Sequence, residues 1–212
     1  MKKIYNILII MIYITNMYAQ DQDAKRILDD LSKENKSYTD ITIDFSHNFS
    51  NNNQQINEDM TGKIWIKGDM YRIDMSNEIS VINNGKTQWV IMKDIPEVQI
   101  MDNNPDDDWN PSSIFTIYEK GYKYEYKGEA NEDNGEISNI INLYQEENTN
   151  VIKIELKINK KNNQIISIKR HDKDGGIETY IITRFRKNSS INEQIFQFIK
   201  EDYPEIEVID LR

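Results

Sequence analysis

The sequence predicts a mainly β chain: one antiparallel sheet of about eleven strands, accompanied by two or three helices. Three observations lead there. Short runs of β-branched and aromatic residues recur between turn signals through most of the 212 residues. Many of those runs alternate apolar and polar side chains with a period of two. No repeat, linker or low-complexity block divides them, and the length suits one domain with a sizeable core.

The chain opens on a targeting pattern. Met1-Lys2-Lys3 is basic, Ile4 to Tyr13 is apolar apart from Asn6, and Met17-Tyr18-Ala19 puts a small residue before Gln20. This predicts a secretory signal cleaved after Ala19. The apolar run is short and interrupted for a membrane span, which leaves a retained anchor as the competing reading. Residues 20–212 then form the mature domain, soluble outside the inner membrane. The net charge of −10 repels nucleic acid and anionic membrane surfaces. Losing Lys2 and Lys3 with the leader makes the mature chain more acidic still. The sequence has no cysteine, which excludes a disulfide framework, a thiol nucleophile and an acylated N-terminal cysteine.

An amphipathic helix comes first in the mature chain. Ala24, Ile27, Leu28 and Leu31 fall on one face, with Asp21 or Asp23 available as a cap. Ile41 to Phe49 alternates as a strand, and Ser50 to Asn57 reads as a polar hairpin tip. The centre of the chain is a meander of five short strands between Thr61 and Met101. Its turns fall at Gly68-Asp69, Ser76-Asn77-Glu78, Asn83-Asn84-Gly85-Lys86 and Asp94-Ile95-Pro96. Asn84-Gly85 is the sharpest, because a tight hairpin needs positive φ. Both faces of the meander carry apolar side chains. Ile64 and Ile66 oppose Trp65; Tyr71, Ile73 and Met75 oppose Arg72 and Asp74; Val90 and Met92 oppose Trp89 and Ile91. Such large, soft residues fill an irregular core or line an adaptable apolar cavity.

Asp106-Asp107-Asp108 reads as a solvated loop, since consecutive side chains diverge and a hard cation needs converging oxygens. Asn110, Pro111 and Gly121 then punctuate a helix bearing Ile114, Phe115, Ile117 and Tyr118. Strands follow: Tyr122 to Tyr126, Ile137 to Gln145, the alternating run of Ile152, Ile154, Leu156 and Ile158, Ile165 to Arg170, and Ile177 to Arg186. Asp174-Gly175-Gly176 is a hairpin turn rather than a calcium loop, lacking the later bidentate Glu. Glu205 to Leu211 supplies a last short strand.

Catalytic chemistry is hard to find. His47 and His171 are the two histidines and have no ligand-like spacing. There is no Gly-x-Ser-x-Gly elbow and no phosphate-cradling glycine loop. The expectation is therefore binding without catalysis, with no cofactor and no metal.

Gly62-Lys63-Ile64-Trp65-Ile66-Lys67, then Tyr71-Arg72-Ile73-Asp74-Met75, then Asn84-Gly85-Lys86-Thr87-Gln88-Trp89 resemble the core signature of the periplasmic outer-membrane lipoprotein carrier family, LolA. The resemblance extends over nearly all the mature chain, including the first helix, the Asn110-Pro111 helix and the Phe196-x-Phe198 segment. It implies a LolA/LolB-like half-open antiparallel β-barrel closed by a helical lid over an apolar cavity. It further implies a periplasmic chaperone that carries lipoproteins from the inner to the outer membrane by their acyl chains. The partners so implied are acylated outer-membrane lipoproteins, an inner-membrane lipoprotein-releasing ABC transporter and some outer-membrane receptor, with the carrier itself a monomer. On this resemblance the cavity residues are Trp65, Tyr71, Ile73, Met75, Trp89 and Ile91, and the lid residues Ile27, Leu28, Leu31, Ile114, Phe115 and Tyr118. One departure is plain: the family places Arg after the Trp-φ-Lys strand to tie lid to barrel, whereas Gly68-Asp69 stands here. The alternatives are a secreted lipoprotein-binding or envelope-stress sensor on the same scaffold, and a lipid hydrolase.

Overall fold

A computed structural model describes residues 22–76, 78–104, 111, 114–145 and 150–212. The signal pattern of residues 1–19, Asp106 to Asp108 and Asn110 lie outside them. An α-helix, α1, covers residues 22–36. Asp23 sits inside it rather than capping it, and its carboxylate accepts from Arg26 at 3.1 Å.

Twelve strands follow: β1 (Ile41–Asn51), β2 (Ile56–Lys67), β3 (Met70–Met75), β4 (Ile79–Asn83), β5 (Thr87–Met92), β6 (Glu97–Asp102), β7 (Lys123–Asn131), β8 (Ile137–Tyr144), β9 (Val151–Asn159), β10 (Ile165–Asp172), β11 (Gly176–Lys187) and β12 (Glu207–Asp210). They form one sheet in the order β12-β6-β5-β4-β3-β2-β1-β11-β10-β9-β8-β7. The sheet is open, with β7 and β12 at its two ends. Every neighbouring pair is antiparallel except β12 and β6, which run parallel. The hairpin tip after β1 is tighter than the polar sequence suggests, so that β1 runs on to Asn51 and β2 begins at Ile56. Register shifts at Asp44/Phe45, Tyr126/Gly128 and Ile165/Ser167 add local twist, and such bulges help a long sheet to curl.

The Asn84-Gly85 hairpin does not use both residues as expected. Gly85 has φ +85 while Asn84 is not in the left-handed region. Instead the Asn84 carboxamide oxygen accepts from the backbone N–H groups of Lys86 and Thr87, at 3.0 and 2.9 Å, a side-chain-closed turn. The Pro111 segment forms a 3-10 helix over Ile114–Lys120, ended by Gly121 at φ +87. Among the described residues no helix is long and apolar enough to cross a membrane.

Strand parity decides where the apolar side chains go. Ile41, Ile43 and Phe45 of β1 face inward, and the register carries that face through Ile64 and Ile66 of β2 to Ile73 and Tyr71 of β3. The main core gathers on this face. It joins α1 through Ala24, Ile27, Leu28 and Leu31 to Ile141, Leu143, Ile154 and Leu156 of β8 and β9. A second, smaller core lies on the opposite face. There Ile82, Ile91 and Val98 are covered by Ile206, with Trp89, Phe198 and Tyr203 packed around them. The C-terminal segment thus crosses the outside of β4–β6 before its last strand joins β6.

Asp40 fixes the start of β1 to the chain leaving β11. Its carboxylate accepts from the backbone N–H groups of Ser189 and Ser190, at 2.7 and 3.0 Å, and from the Thr39 hydroxyl. Burial alone would raise its pKa, but these donors hold it below the usual carboxylate range.

An apolar cavity beneath a helical cover

Alternate residues of five adjacent strands converge on one cavity of about 200 Å³. Ile43 and Phe45 come from β1, Ile64 and Ile66 from β2, and Ile73 and Met75 from β3. From the other side of β1 come Ile165 and Ile168 of β10 and Tyr180 and Ile182 of β11. Each pair is spaced i, i+2 or i, i+3 along a strand, which puts both members on the inward face where the bulge allows it. Pro111, Ile114 and Phe115 cover the opening.

Gly62 lets the wall close. A Cβ there would run into the Phe45 ring, so hydrogen is the only substituent that leaves that ring in place. The glycine that opens the family signature therefore positions a cavity side chain.

One end of the cavity is charged. Arg170 grips Asp172 through two parallel bonds, Nε to Oδ1 and Nη2 to Oδ2, both 2.7 Å, and its Nη1 lies 3.5 Å from Glu178. Tyr180 donates to Glu178 at 3.1 Å. Burial, and then Glu178, pushes the Tyr180 phenol well above its ordinary pKa. Arg170 stays charged because these carboxylates outweigh its burial. His47 is 6% exposed and packs against Tyr180 with the rings tilted and their centroids 4.5 Å apart. Burial lowers its pKa, so it is neutral at neutral pH. His171 lies on β10, with no cluster of metal ligands among the described residues.

The expected cavity residues divide by face. Ile73 and Met75 line the cavity. Tyr71 shares their face but sits in the adjoining core, 4% exposed, its hydroxyl donating to Gln88 at 2.6 Å. Trp65, Trp89 and Ile91 are corrections, because strand parity puts all three on the other side of the sheet. Trp65 pairs with Thr42 and Arg72, and the Lys63 ammonium rests 4.7 Å from its ring centre. Trp89 stacks on Phe198 at 6.3 Å, and Ile91 is fully buried in the outer core. The surplus apolar character of the meander thus serves two purposes, an inner cavity and an outer seat for the C-terminal segment. Ile165, Ile168, Tyr180 and Ile182 had not been expected at the site. Their alternation was visible, but nothing local says that β10 and β11 lie beside β1.

The cover also divides. Ile114 and Phe115 touch the cavity, whereas Ile27, Leu28 and Leu31 are sealed into the main core. Tyr118 bridges the two pieces, its hydroxyl donating to Asp29 at 2.9 Å. Glu119 accepts from Lys36 at 3.0 Å and from Ser32 at 3.1 Å, and the Lys36 ammonium leads in holding the Glu119 carboxyl below its usual range. Lys187 of β11 ties α1 to the sheet. It meets Glu34 at 3.2 Å and lies 4.3 Å over the Tyr38 ring. With Gly68 in place of the family's Arg, the Lys187 contacts join cover to sheet.

Fold and cavity define a class: an open antiparallel sheet curled round an apolar chamber, with a helical cover on the inner face. The chain belongs to the LolA family, whose description, outer membrane lipoprotein carrier protein LolA, matches residues 36–199. LolA-family proteins are periplasmic, and the fold is that of lipoprotein-binding proteins. Among solved structures, the chain is similar to an uncharacterized conserved protein from Thermus thermophilus, with a TM-score of 0.61 and 12% identity over 89% of this chain and 99% of that one. A putative outer membrane lipoprotein-sorting protein domain from Vibrio parahaemolyticus aligns at TM-score 0.48 and 9% identity, covering 84% and 97%. The Pseudomonas aeruginosa MucA/MucB complex gives 0.47 and 13%, covering 84% and 62%. No curated protein matches the chain by sequence.

Proposed function

We propose that this protein is a periplasmic carrier that takes acylated lipoproteins from an inner-membrane ABC transporter and delivers them to the outer membrane. The observation that carries the reading is the cavity: side chains of β1, β2, β3, β10 and β11 enclose a mostly apolar space, charged at one end by Arg170 and Glu178, in a chain of the LolA family. Burying an acyl chain there contributes about 0.8 kcal/mol per methylene, enough for a lined cavity to compete with a bilayer. Transfer needs no bond to be made or broken, so we propose binding without catalysis, by a monomer exported after cleavage at Ala19.

The test is release of newly made lipoproteins from spheroplasts. Purified protein added outside is expected to move acylated lipoproteins into the soluble fraction, in complex with itself. Retention of every lipoprotein on the membrane, with the protein still binding acyl chains, would turn the reading toward a lipoprotein or envelope-stress sensor.

A further inference from the structure

The charged end of the cavity bears on which ligands it admits. Arg170 and Glu178 both line the cavity, and their side chains keep 19% and 22% of their surface exposed. They pair across β10 and β11 as the next inward couple after Ile168 and Tyr180, which belong to the apolar wall. A chain lying against Ile168 and Tyr180 therefore brings its neighbouring atoms to these two groups.

The charge there is net negative. Arg170 lies between two carboxylates, Asp172 in the two-bond fork at 2.7 Å and Glu178 at 3.5 Å. Asp172 is buried and held in that fork. Glu178 accepts from the Tyr180 phenol at 3.1 Å, and a carboxylate with about four acceptor positions has room for a further donor. Among the described residues, the neighbouring strands add no cation on this face. Glu178 pairs with Phe49 of β1 and Arg170 with Ile154 of β9. Lys169 alternates with Arg170 and so lies on the outer face. His47, against Tyr180, is neutral. One cation is thus shared by two anions, an arrangement that repels a third anion and attracts a further cation.

We propose that this end of the cavity selects ligands by the charge of their polar group, with Glu178 as the selecting residue. An uncharged or cationic group is admitted; a free carboxylate is turned away. This rests on the acyl-binding reading above and narrows it: long-chain esters, amides and amines are ligands, and free fatty acids of equal length are poor ones. An apolar space penalises a charge of either sign, so weak binding of a carboxylate does not by itself implicate Glu178. The preference between two ligands of opposite charge does.

Titration calorimetry at neutral pH with decylammonium, methyl decanoate and decanoate tests it on the intact mature chain. The wild type is expected to bind decylammonium roughly tenfold more tightly than decanoate, with the ester also ahead of decanoate. Glu178→Gln keeps an acceptor for Tyr180 and leaves Arg170 paired with Asp172. It is expected to cut the ratio of ammonium to decanoate affinity by about tenfold. Asp94→Asn, on the exposed turn between β5 and β6, removes the same charge from the chain and is expected to leave that ratio unchanged. Decanoate bound as tightly as decylammonium by the wild type would overturn the proposal while leaving acyl binding intact, whether or not the Glu178 variant folds. So would a folded Glu178→Gln variant with the ratio unchanged, or an Asp94→Asn variant that shifts it as far. Failure of all three ligands to bind would overturn the acyl-binding reading, and this proposal with it.

Discussion

Ile73→Asp is expected to keep the fold and lose acyl-chain binding. Ile73 pairs with Ile64 and Val81 on the inner face and lines the cavity beside Met75. It is half-buried, packed against the core rather than sealed in it. A carboxylate on the wall of a chamber that admits water keeps much of its hydration, so the folded state tolerates it. An acyl chain laid over that wall strips the hydration away, at a cost of about 2 kcal/mol or more. Binding of a decanoyl ligand should weaken by at least roughly thirtyfold, while the melting temperature falls by only a few degrees, about 1 kcal/mol. Thermal melting and titration of the same preparation give both numbers. A variant that does not fold would mean that this face is sealed core. A variant that binds as the wild type does would mean that the chain lies elsewhere.

The same substitution on the other face should do the opposite. Ile91 is fully buried among Ile82, Val98 and Ile206, where the C-terminal segment closes over the outside of the sheet. A carboxylate there meets neither water nor a cation, and an unpaired buried charge costs several kcal/mol, comparable with the ~5–15 kcal/mol that holds a domain together. Ile91→Asp is expected to be largely unfolded, or to fold with residues 192–212 detached and open to proteolysis. Ile91→Val, which keeps the packing chemistry, should cost only about 1 kcal/mol. Urea unfolding and limited proteolysis read both variants. A near-wild-type midpoint and an intact C-terminus in Ile91→Asp would contradict the sealed outer core.

This contrast marks how far the sequence could be read. Period-two alternation located the strands, and it put Ile64 with Ile66 and Ile73 with Met75 on common faces, because parity is a local property of an extended chain. It could not say which face a given strand turns to the cavity when both faces are apolar. The family resemblance, and not the alternation, places Trp65, Trp89 and Ile91 inward. What decides the matter is β12 pairing with β6 and Ile206 landing on Val98, contacts between segments far apart in the chain that leave no local pattern. The same holds for β11, whose place beside β1 brings Tyr180 and Ile182 to the cavity. The helix after Pro111 was legible from its punctuation, but its 3-10 winding was not.

The central claim is that an acyl chain occupies the space between β1–β3 and β10–β11. Methyl NMR of the protein labelled at isoleucine, valine and methionine, titrated with methyl decanoate, tests it most directly. The Met75 and Ile73 methyl resonances, with that of Ile168 across the cavity, are expected to move together and saturate with one binding constant. Those of Ile91 and Val98, under the C-terminal segment, should stay in place. Shifts confined to the outer-face methyls, or inner-face methyls unmoved at saturation, would contradict the account.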